Sequence, residues 1–150
     1  MIPRALGHLW MLPNTLASAV YLGIFMIFGW VRYSGTTPYA VVLSVRPGNM
    51  IYDYMHGKWA GWASGAFIII REDCLHSLRT IAHEQAHVMQ QMIFGIFHPL
   101  LYLLFMLFIA IFLRSKSPYY DNPFETDARS YGEQFAPDSL VQRDLGFRGR

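Results

Sequence analysis

The chain has 150 residues, enough for one domain and too few for two of ordinary size. Charged residues make up 15% of it, against roughly 25% in an average soluble domain, whereas 53% is hydrophobic and 16% aromatic. This composition excludes a disordered chain, a coiled coil and a collagen-like protein. With so little polar surface, we expect lipid or another protein to cover part of the fold.

The net charge and the cysteine content argue against a nucleic-acid-binding protein and against a site built from several cysteines. A net charge of +2 without a basic stripe gives no reason to expect a nucleic-acid partner. The single cysteine, Cys74, can form neither an intrachain disulfide nor a metal site made of several cysteines.

The first predicted element is an apolar helix over residues 15–31, which begins after Pro13 and ends at Arg32. Its length is at the short limit for a membrane-spanning helix, so residues 1–32 are predicted to be a membrane anchor. A helix buried in a core or an interface is the alternative. A cleaved signal peptide is disfavoured because no small-residue cleavage site follows.

Two short strands are predicted next. Residues 39–45 are rich in β-branched side chains, and residues 66–70 follow a glycine and contain three consecutive isoleucines. Residues 46–49 form a turn between them. Trp59 and Trp62 also lie between the strands, and we expect them to pack rather than to stack on a ligand.

A helix is predicted to begin between Leu75 and Ser77, with Asp73 or Ser77 as its N-cap, and to run into a second apolar segment over residues 92–113. Later, an Asn-Pro pair at residues 122–123 is typical of an N-cap and a first helical residue. It predicts a last helix over residues 123–135. The polar residues 136–150 are predicted to be a loose surface tail.

His83, Glu84 and His87 form an HExxH motif inside the first of these helices. Residues four apart share a helix face, so both imidazoles can bind one metal ion. Glu84 lies beside that face, where it can hold a metal-bound water. The motif therefore predicts a zinc site. The alternative is a helix in which the two histidines pack against ordinary polar partners.

Catalytic zinc keeps three protein ligands and one open position, so a third ligand must come from another segment. His76 cannot share the metal with both histidines, because it lies about 10 Å from His83 along the helix. A carboxylate near the start of the capped last helix is favoured, since it would be held rigidly. The candidates are His98, Asp121, Glu125, Asp127 and Glu133.

Two motifs resemble those of a known family. The run from His83 to Gln90 resembles the HExxHxxQ helix of small bacterial and phage zinc metallopeptidase-like domains, and the run from Asn122 to Ala128 resembles their NPxExxA motif. The resemblance covers about residues 39–131. It implies an α+β fold with a zincin-like core of gluzincin type: a short sheet, the HExxH helix and a glutamate-bearing helix.

The resemblance also implies roles for four residues. His83, His87 and Glu125 would bind Zn²⁺, and Glu84 would be the general base that activates a zinc-bound water to hydrolyse a peptide bond. The strand at residues 65–70 resembles the edge strand that holds extended peptide in these folds.

Beside the proposed ligands, this chain departs from the family pattern at one position. Some gluzincins have an aspartate that braces a ligand histidine where this chain has Arg129, and Asp127 is the substitute candidate. Tyr131, Tyr120 and His98 are candidates for stabilising the oxyanion.

The two motifs constrain the second apolar segment. As one helix, residues 92–113 would be about 33 Å long and could span a bilayer. A single span would, however, place His87 and Glu125 on opposite sides of the membrane. We therefore predict a hairpin that breaks near Pro99, with arms 88–97 and 100–113, and that enters one leaflet or packs in a protein interface. The metallopeptidase-like domain, residues 33–135, would include it.

These observations predict a membrane-associated zinc metallopeptidase that acts on a peptide or protein substrate near the membrane. A catalytically silent zinc-binding subunit of a larger membrane or virion assembly is the first alternative. A membrane anchor or lysis-type protein with a chance HExxH sequence is the second.

Overall fold

The computed structural model describes residues 3–114, 116–135 and 145–149 as an α+β fold, in which a small mixed sheet packs against several helices. The strands are β1 (Val31–Thr36), β2 (Val41–Val45), β3 (Gly61–Ser64), β4 (Phe67–Arg71) and β5 (Arg148–Gly149). The helices are α1 (Arg4–Trp10), α2 (Leu12–Ile27), α3 (Met50–Met55), α4 (Leu78–Phe94), α5 (His98–Phe112) and α6 (Pro123–Glu133).

The sheet has the strand order β3-β4-β2-β1-β5, with β2 and β4 parallel and the other pairs antiparallel. Val42, Ile68 and Ile70 are fully buried between the sheet and α4, which explains the β-branched composition of the central strands. Both predicted strands are confirmed to within two residues. The strand compared with a substrate-holding edge, β4, is internal; the edge strand is β3.

The N-terminal segment differs from the predicted helix over residues 15–31. It forms α1 and α2, which meet at a bend of 67°, and Val31 already belongs to β1. Gly29, with φ +69°, ends the helical region in a conformation that favours glycine.

Helix α2 packs against the turn between β3 and β4. The Ala66 N–H donates to Thr15 Oγ1 at 3.1 Å, and the hydroxyls of Ser18 and Ser64 lie 2.6 Å apart. Gly65 must be glycine here, because its φ is +57° and a Cβ would lie 2.4 Å from Thr15 Cα. The apolar N-terminal segment is thus joined to the sheet on one side, while its other side is exposed.

Helix α4 begins at Leu78, and Ser77 is its N-cap because the Ser77 hydroxyl accepts a hydrogen bond from the Thr80 N–H. Short α3, which was not predicted, is capped in the same way by Asn49. Trp62 packs against the core as expected, and Trp59, although 41% exposed, packs edge-to-face with Tyr54.

The chain bends between α4 and α5. His87 and Tyr102 are fifteen residues apart and would be about 22 Å apart along a straight helix, yet their ring centroids are 6.4 Å apart. The turn lies at Gly95, with φ +56°, rather than at Pro99. Pro99 occupies the first turn of α5, where proline is tolerated because that N–H has no helical partner.

One helical run, Leu78–Phe112, is long and apolar enough to cross a membrane by length and composition, and 22% of its most apolar part is buried. Because the run contains the turn at Gly95, its two halves do not form one straight rod. Among the described elements, α5 and α2 expose the most large apolar side chains.

Helix α6 begins as predicted, since Asn122 Oδ1 accepts from the Phe124 N–H, but it ends at Glu133 rather than at residue 135. Part of the predicted loose tail, residues 136–144, lies outside the described residues. The rest of the tail differs from the prediction: Leu145 is buried in the core, and β5 pairs with β1.

Candidate metal centre

Small residues on one face of α6 bring it close to α4. Glu125, Ala128 and Gly132 share this face, and Ala128 is fully buried. A Cβ at Gly132 would lie 3.0 Å from the Arg79 carbonyl oxygen and 3.3 Å from His83 Cβ. The absence of a side chain at Gly132 therefore lets α6 approach until Glu125 reaches the histidines of α4.

His83, His87 and Glu125 form a cluster whose ligand atoms all lie within 4.8 Å of one another. His83 Nε2 is 3.5 Å from Glu125 Oε2, and His87 Nε2 is 3.1 Å from Glu125 Oε1. Two ligands in a tetrahedron with metal bonds of about 2.0–2.1 Å are separated by about 3.3 Å, so these spacings suit a metal ion.

One carboxylate oxygen of this cluster lacks a hydrogen-bond partner among the described residues. Glu125 Oε2 is buried and receives no hydrogen bond from the residues that the structure describes. Such orphaned acceptors are rare in folded proteins, and a cation between the three side chains would satisfy this one. The cluster could therefore hold a metal ion.

Electrostatics keeps Glu125 ionised. Burial opposes its charge, but the nearby imidazoles of His83 and His87 and the Tyr102 hydroxyl favour it and hold the pKa of Glu125 well below its ordinary value. It is therefore available as an anionic ligand at neutral pH.

Glu84 is buried beside the ligands, one residue after His83. Burial raises the pKa of Glu84, which favours its taking up a proton. The edge strand passes directly over it, since a Cβ at Gly61 would lie 3.3 Å from Glu84 Cγ.

Asp127 and His98 lie behind the ligands rather than among them. Both contact Gln90: Asp127 Oδ2 accepts from Gln90 Nε2 at 2.8 Å, and His98 Nε2 is 3.4 Å from Gln90 Oε1. Gln90 Oε1 in turn lies 2.9 Å from His87 Nδ1. Asp127 therefore reaches a ligand histidine only through Gln90.

The remaining candidates for a metal ligand or for stabilising the oxyanion lie away from the cluster. Tyr131 accepts a hydrogen bond from Gln85, which occupies the face of α4 opposite the ligands. Tyr120 is exposed and its ring packs under the Arg129 guanidinium. Asp121 accepts from the Ser117 N–H, and Glu133 pairs with Arg79 at the surface.

Two tyrosines that the sequence did not single out contribute to the site. The Tyr102 hydroxyl donates to Glu125 Oε1 at 2.8 Å, and the Asn122 side chain anchors the Tyr102 carbonyl at 3.1 Å. Tyr119 lies beside Glu125, and burial together with this carboxylate raises its pKa, so it stays protonated. Tyr102 could have been noticed as a rare hydroxyl in an apolar run.

Two cavities meet at His83, Glu84 and Glu125. The larger, of about 770 Å³, lies between α2, α3, β3 and α5 and has mainly apolar and aromatic walls. They include Tyr21, Tyr54, Trp59, Trp62 and Met106. The smaller, of about 390 Å³, has mixed polar and apolar walls, which include the basic side chains of Lys58, Arg79 and Arg129. The cluster thus lies at the junction of an apolar and a basic recess.

No protein-family model, curated protein or solved structure matches this chain. The site is therefore characterised by its own geometry. It is a buried cluster of two histidines and one glutamate that could hold a metal ion, open to two cavities.

Proposed function

We propose that this protein is a membrane-associated, zinc-dependent metallopeptidase of gluzincin type. The observation that supports this best is the approach of Glu125 to both histidines of the HExxH motif, with Glu84 buried beside them. Two imidazoles, one carboxylate and an open position are the donor set of catalytic zinc. The zincin-like core belongs to the same proposal, with β3 as the edge strand above α4.

Each polar residue of the site then has a chemical role. A bound zinc ion would polarise a peptide carbonyl and lower the pKa of water. Glu84 accepts the proton of the attacking water and passes it to the leaving amine. Tyr102 orients Glu125 through its hydroxyl, and Tyr119, protonated and facing both cavities, donates to the oxyanion that develops during attack.

The cavities favour a peptide as substrate. An extended chain across the cluster would place its apolar side chains in the larger recess and its polar groups in the basic one. β3 has hydrogen-bonded partners on one side only among the described strands, so its other edge can pair with such a chain.

Lipid is the proposed covering of the apolar surface. Residues 5–31 and 85–113 contain no Asp, Glu, Lys or Arg. Arg4 and Arg32 flank the first segment, and Arg114 and Lys116 follow the second. The outer faces of α2 and α5 expose large apolar side chains, such as Val20 and Phe112. An apolar surface with basic ends suits the interior and the anionic headgroups of one leaflet.

Three variants, one of them a control, test this function in detergent-solubilised protein. We expect one zinc ion per wild-type chain, loss of zinc in His83→Ala, and retention in His76→Ala, whose histidine is exposed and outside the cluster. With a peptide library as substrate, Glu84→Gln should retain zinc and lose at least about 100-fold in cleavage rate.

Three results would overturn the proposal. Zinc without cleavage of any peptide would support the silent structural subunit instead. Absence of stoichiometric metal would support an HExxH sequence that arose by chance. Stoichiometric iron instead of zinc would indicate oxygen chemistry, since two histidines and a carboxylate also hold iron(II).

A further inference from the structure

Gln90 lies at the centre of the contact between α4 and α6. It is 5% exposed, and each polar atom of its side chain has partners. Its Nε2 donates to the Phe124 carbonyl oxygen at 3.0 Å and to Asp127 Oδ2 at 2.8 Å. Its Oε1 lies 2.9 Å from His87 Nδ1 and 3.4 Å from His98 Nε2.

These partners fix which way the amide points. A carbonyl oxygen and a carboxylate can only accept, so the amide nitrogen must face Phe124 and Asp127. The amide oxygen must then face His87. An oxygen cannot donate, so His87 Nδ1 is the protonated nitrogen of the ring.

The tautomer of His87 follows from this. With its proton on Nδ1, neutral His87 has its free lone pair on Nε2, the atom that lies 3.1 Å from Glu125 Oε1 within the cluster. Gln90 thus directs the ligating nitrogen of His87 toward the metal position. Through Phe124 and Asp127 it also holds the first turn of α6, which bears Glu125.

We propose that Gln90 is a positioning residue of the metal centre, one that sets the tautomer of His87 and fixes α6, with Glu125, against α4. This rests on the proposed metal site. Asp127 contacts the Gln90 amide and not the ring of His87, so it acts on His87 through Gln90.

Metal affinity of the full chain measures this role without any turnover. Gln90→Leu removes the acceptor of the His87 proton and the link to α6, and we expect Zn²⁺ affinity, measured by competition with a chelator, to fall by about 10- to 100-fold. Gln85→Leu is the matched control: Gln85 is as deeply buried in α4, but it bonds to Tyr131 on the opposite face. It should change the affinity by less than about threefold.

Exchanging the amide and carboxylate groups of Gln90 and Asp127 distinguishes a positioning role of Gln90 from a general contribution to stability. Gln90→Glu places a carboxylate oxygen against Asp127 and Phe124, and we expect Zn²⁺ affinity to fall at least tenfold. Adding Asp127→Asn restores a donor to that contact and keeps the charge of the pair unchanged, so the double variant should recover much of the loss. The near-isosteric glutamate variants decide the question if Gln90→Leu does not fold.

The absorption spectrum of the Co²⁺-substituted protein gives a second readout. We expect altered visible bands in Gln90→Leu and Gln90→Glu, and bands like those of the wild type in Gln85→Leu, because the ligand field reports the orientation of His87. Wild-type affinity and spectra in every Gln90 variant, with loss of metal in His83→Ala, would overturn the role of Gln90 alone. Retention of metal by His83→Ala would overturn the metal site itself.

Discussion

Two consecutive helices of this protein, α4 and α5, differ in which side chains they bury and which they expose. Helix α4 buries polar side chains, namely Glu84, Gln85, His87, Gln90 and Gln91. In α5 the buried residues are His98 and Ile109, and the large apolar side chains are exposed, among them Leu100, Leu103, Leu104, Leu107, Phe108, Ile111 and Phe112. The turn at Gly95 separates the two patterns.

The contrast shows what surrounds each helix. Buried polar groups are tolerated in α4 because the fold supplies partners, such as Tyr131 for Gln85 and the β3–β4 turn for Gln91. Helix α5 exposes a continuous series of large apolar side chains, and contiguous exposed apolar patches mark interaction sites. We propose that a partner other than water covers this face. We infer that α4 builds the chemical site and α5 places it at an apolar boundary, so the two functions should respond separately to mutation.

The largest expected effect is on the α4–α6 side. Glu125→Ala removes a proposed ligand and leaves His83 and His87 without their carboxylate, so we expect Zn²⁺ affinity to fall by more than about 100-fold, beyond the usual effect of residues around the ligands. Chelator competition measures it. Glu133→Ala on the same helix, which removes a surface ion pair, should leave the affinity unchanged. Equal losses in both variants would contradict the assignment of Glu125.

The next effect concerns α5 and should leave the metal centre intact. Leu104→Lys combined with Phe108→Lys puts two charges on the exposed apolar face, and we expect binding to vesicles that contain anionic lipid to fall at least about tenfold. Co-sedimentation measures it, with Ser130→Lys on the exposed side of α6 as the control. Unchanged vesicle binding, or a matching loss of Zn²⁺ affinity, would show that the two helices do not have separate functions.

A smaller effect tests how closely α6 must approach α4. Gly132→Ala introduces a methyl group against the Arg79 carbonyl, so we expect the free energy of unfolding to fall by about 1–3 kcal/mol. Denaturant titration measures it, and Zn²⁺ affinity should fall in parallel. Gly23→Ala in α2 is the matched control, since a Cβ there meets nothing within 4 Å. This control should stabilise the helix by up to about 1 kcal/mol. Equal effects in the two variants would contradict the close contact.

The smallest effect tests the hydrogen bond from α5 to Glu125. Tyr102→Phe deletes the hydrogen bond to Glu125 Oε1, and loss of one such bond typically costs about 0.5–1.5 kcal/mol. We therefore expect Zn²⁺ affinity to fall by about two- to tenfold, measured by the same competition assay. An unchanged affinity would show that α5 supplies the boundary only and takes no part in orienting the ligand.

Local patterns were enough to predict the site's scaffold. The HExxH spacing placed His83 and His87 on one helix face, and the Asn-Pro pair predicted the start of α6 to the residue. The β-branched runs predicted β2 and β4. These signals act between neighbouring residues, so the sequence contains them directly. The resemblance then supplied Glu125, which spacing alone left as one of several candidates.

The rest depends on contacts between distant segments. The sequence did not show whether the chain turns at Gly95 or at Pro99. Proline is compatible with the first turn of a helix, and Gly95 is required partly because the distant Trp10 ring packs against it. Tyr102 reaches Glu125 only because of that turn. The edge strand β3 has four residues, Gly61–Ser64, and three of them are small, so its sequence lacks a strand pattern. The burial of Leu145 likewise depends on the core that it meets.

We propose that α4 and α6 together hold one zinc ion through His83, His87 and Glu125. X-ray absorption spectroscopy at the zinc edge, on protein loaded with one equivalent of zinc, tests it most directly. We predict two imidazole nitrogens at about 2.0–2.1 Å together with carboxylate oxygen and no sulfur ligand. A zinc ion that is bound without imidazole, or that is coordinated identically in His83→Ala, would contradict the claim.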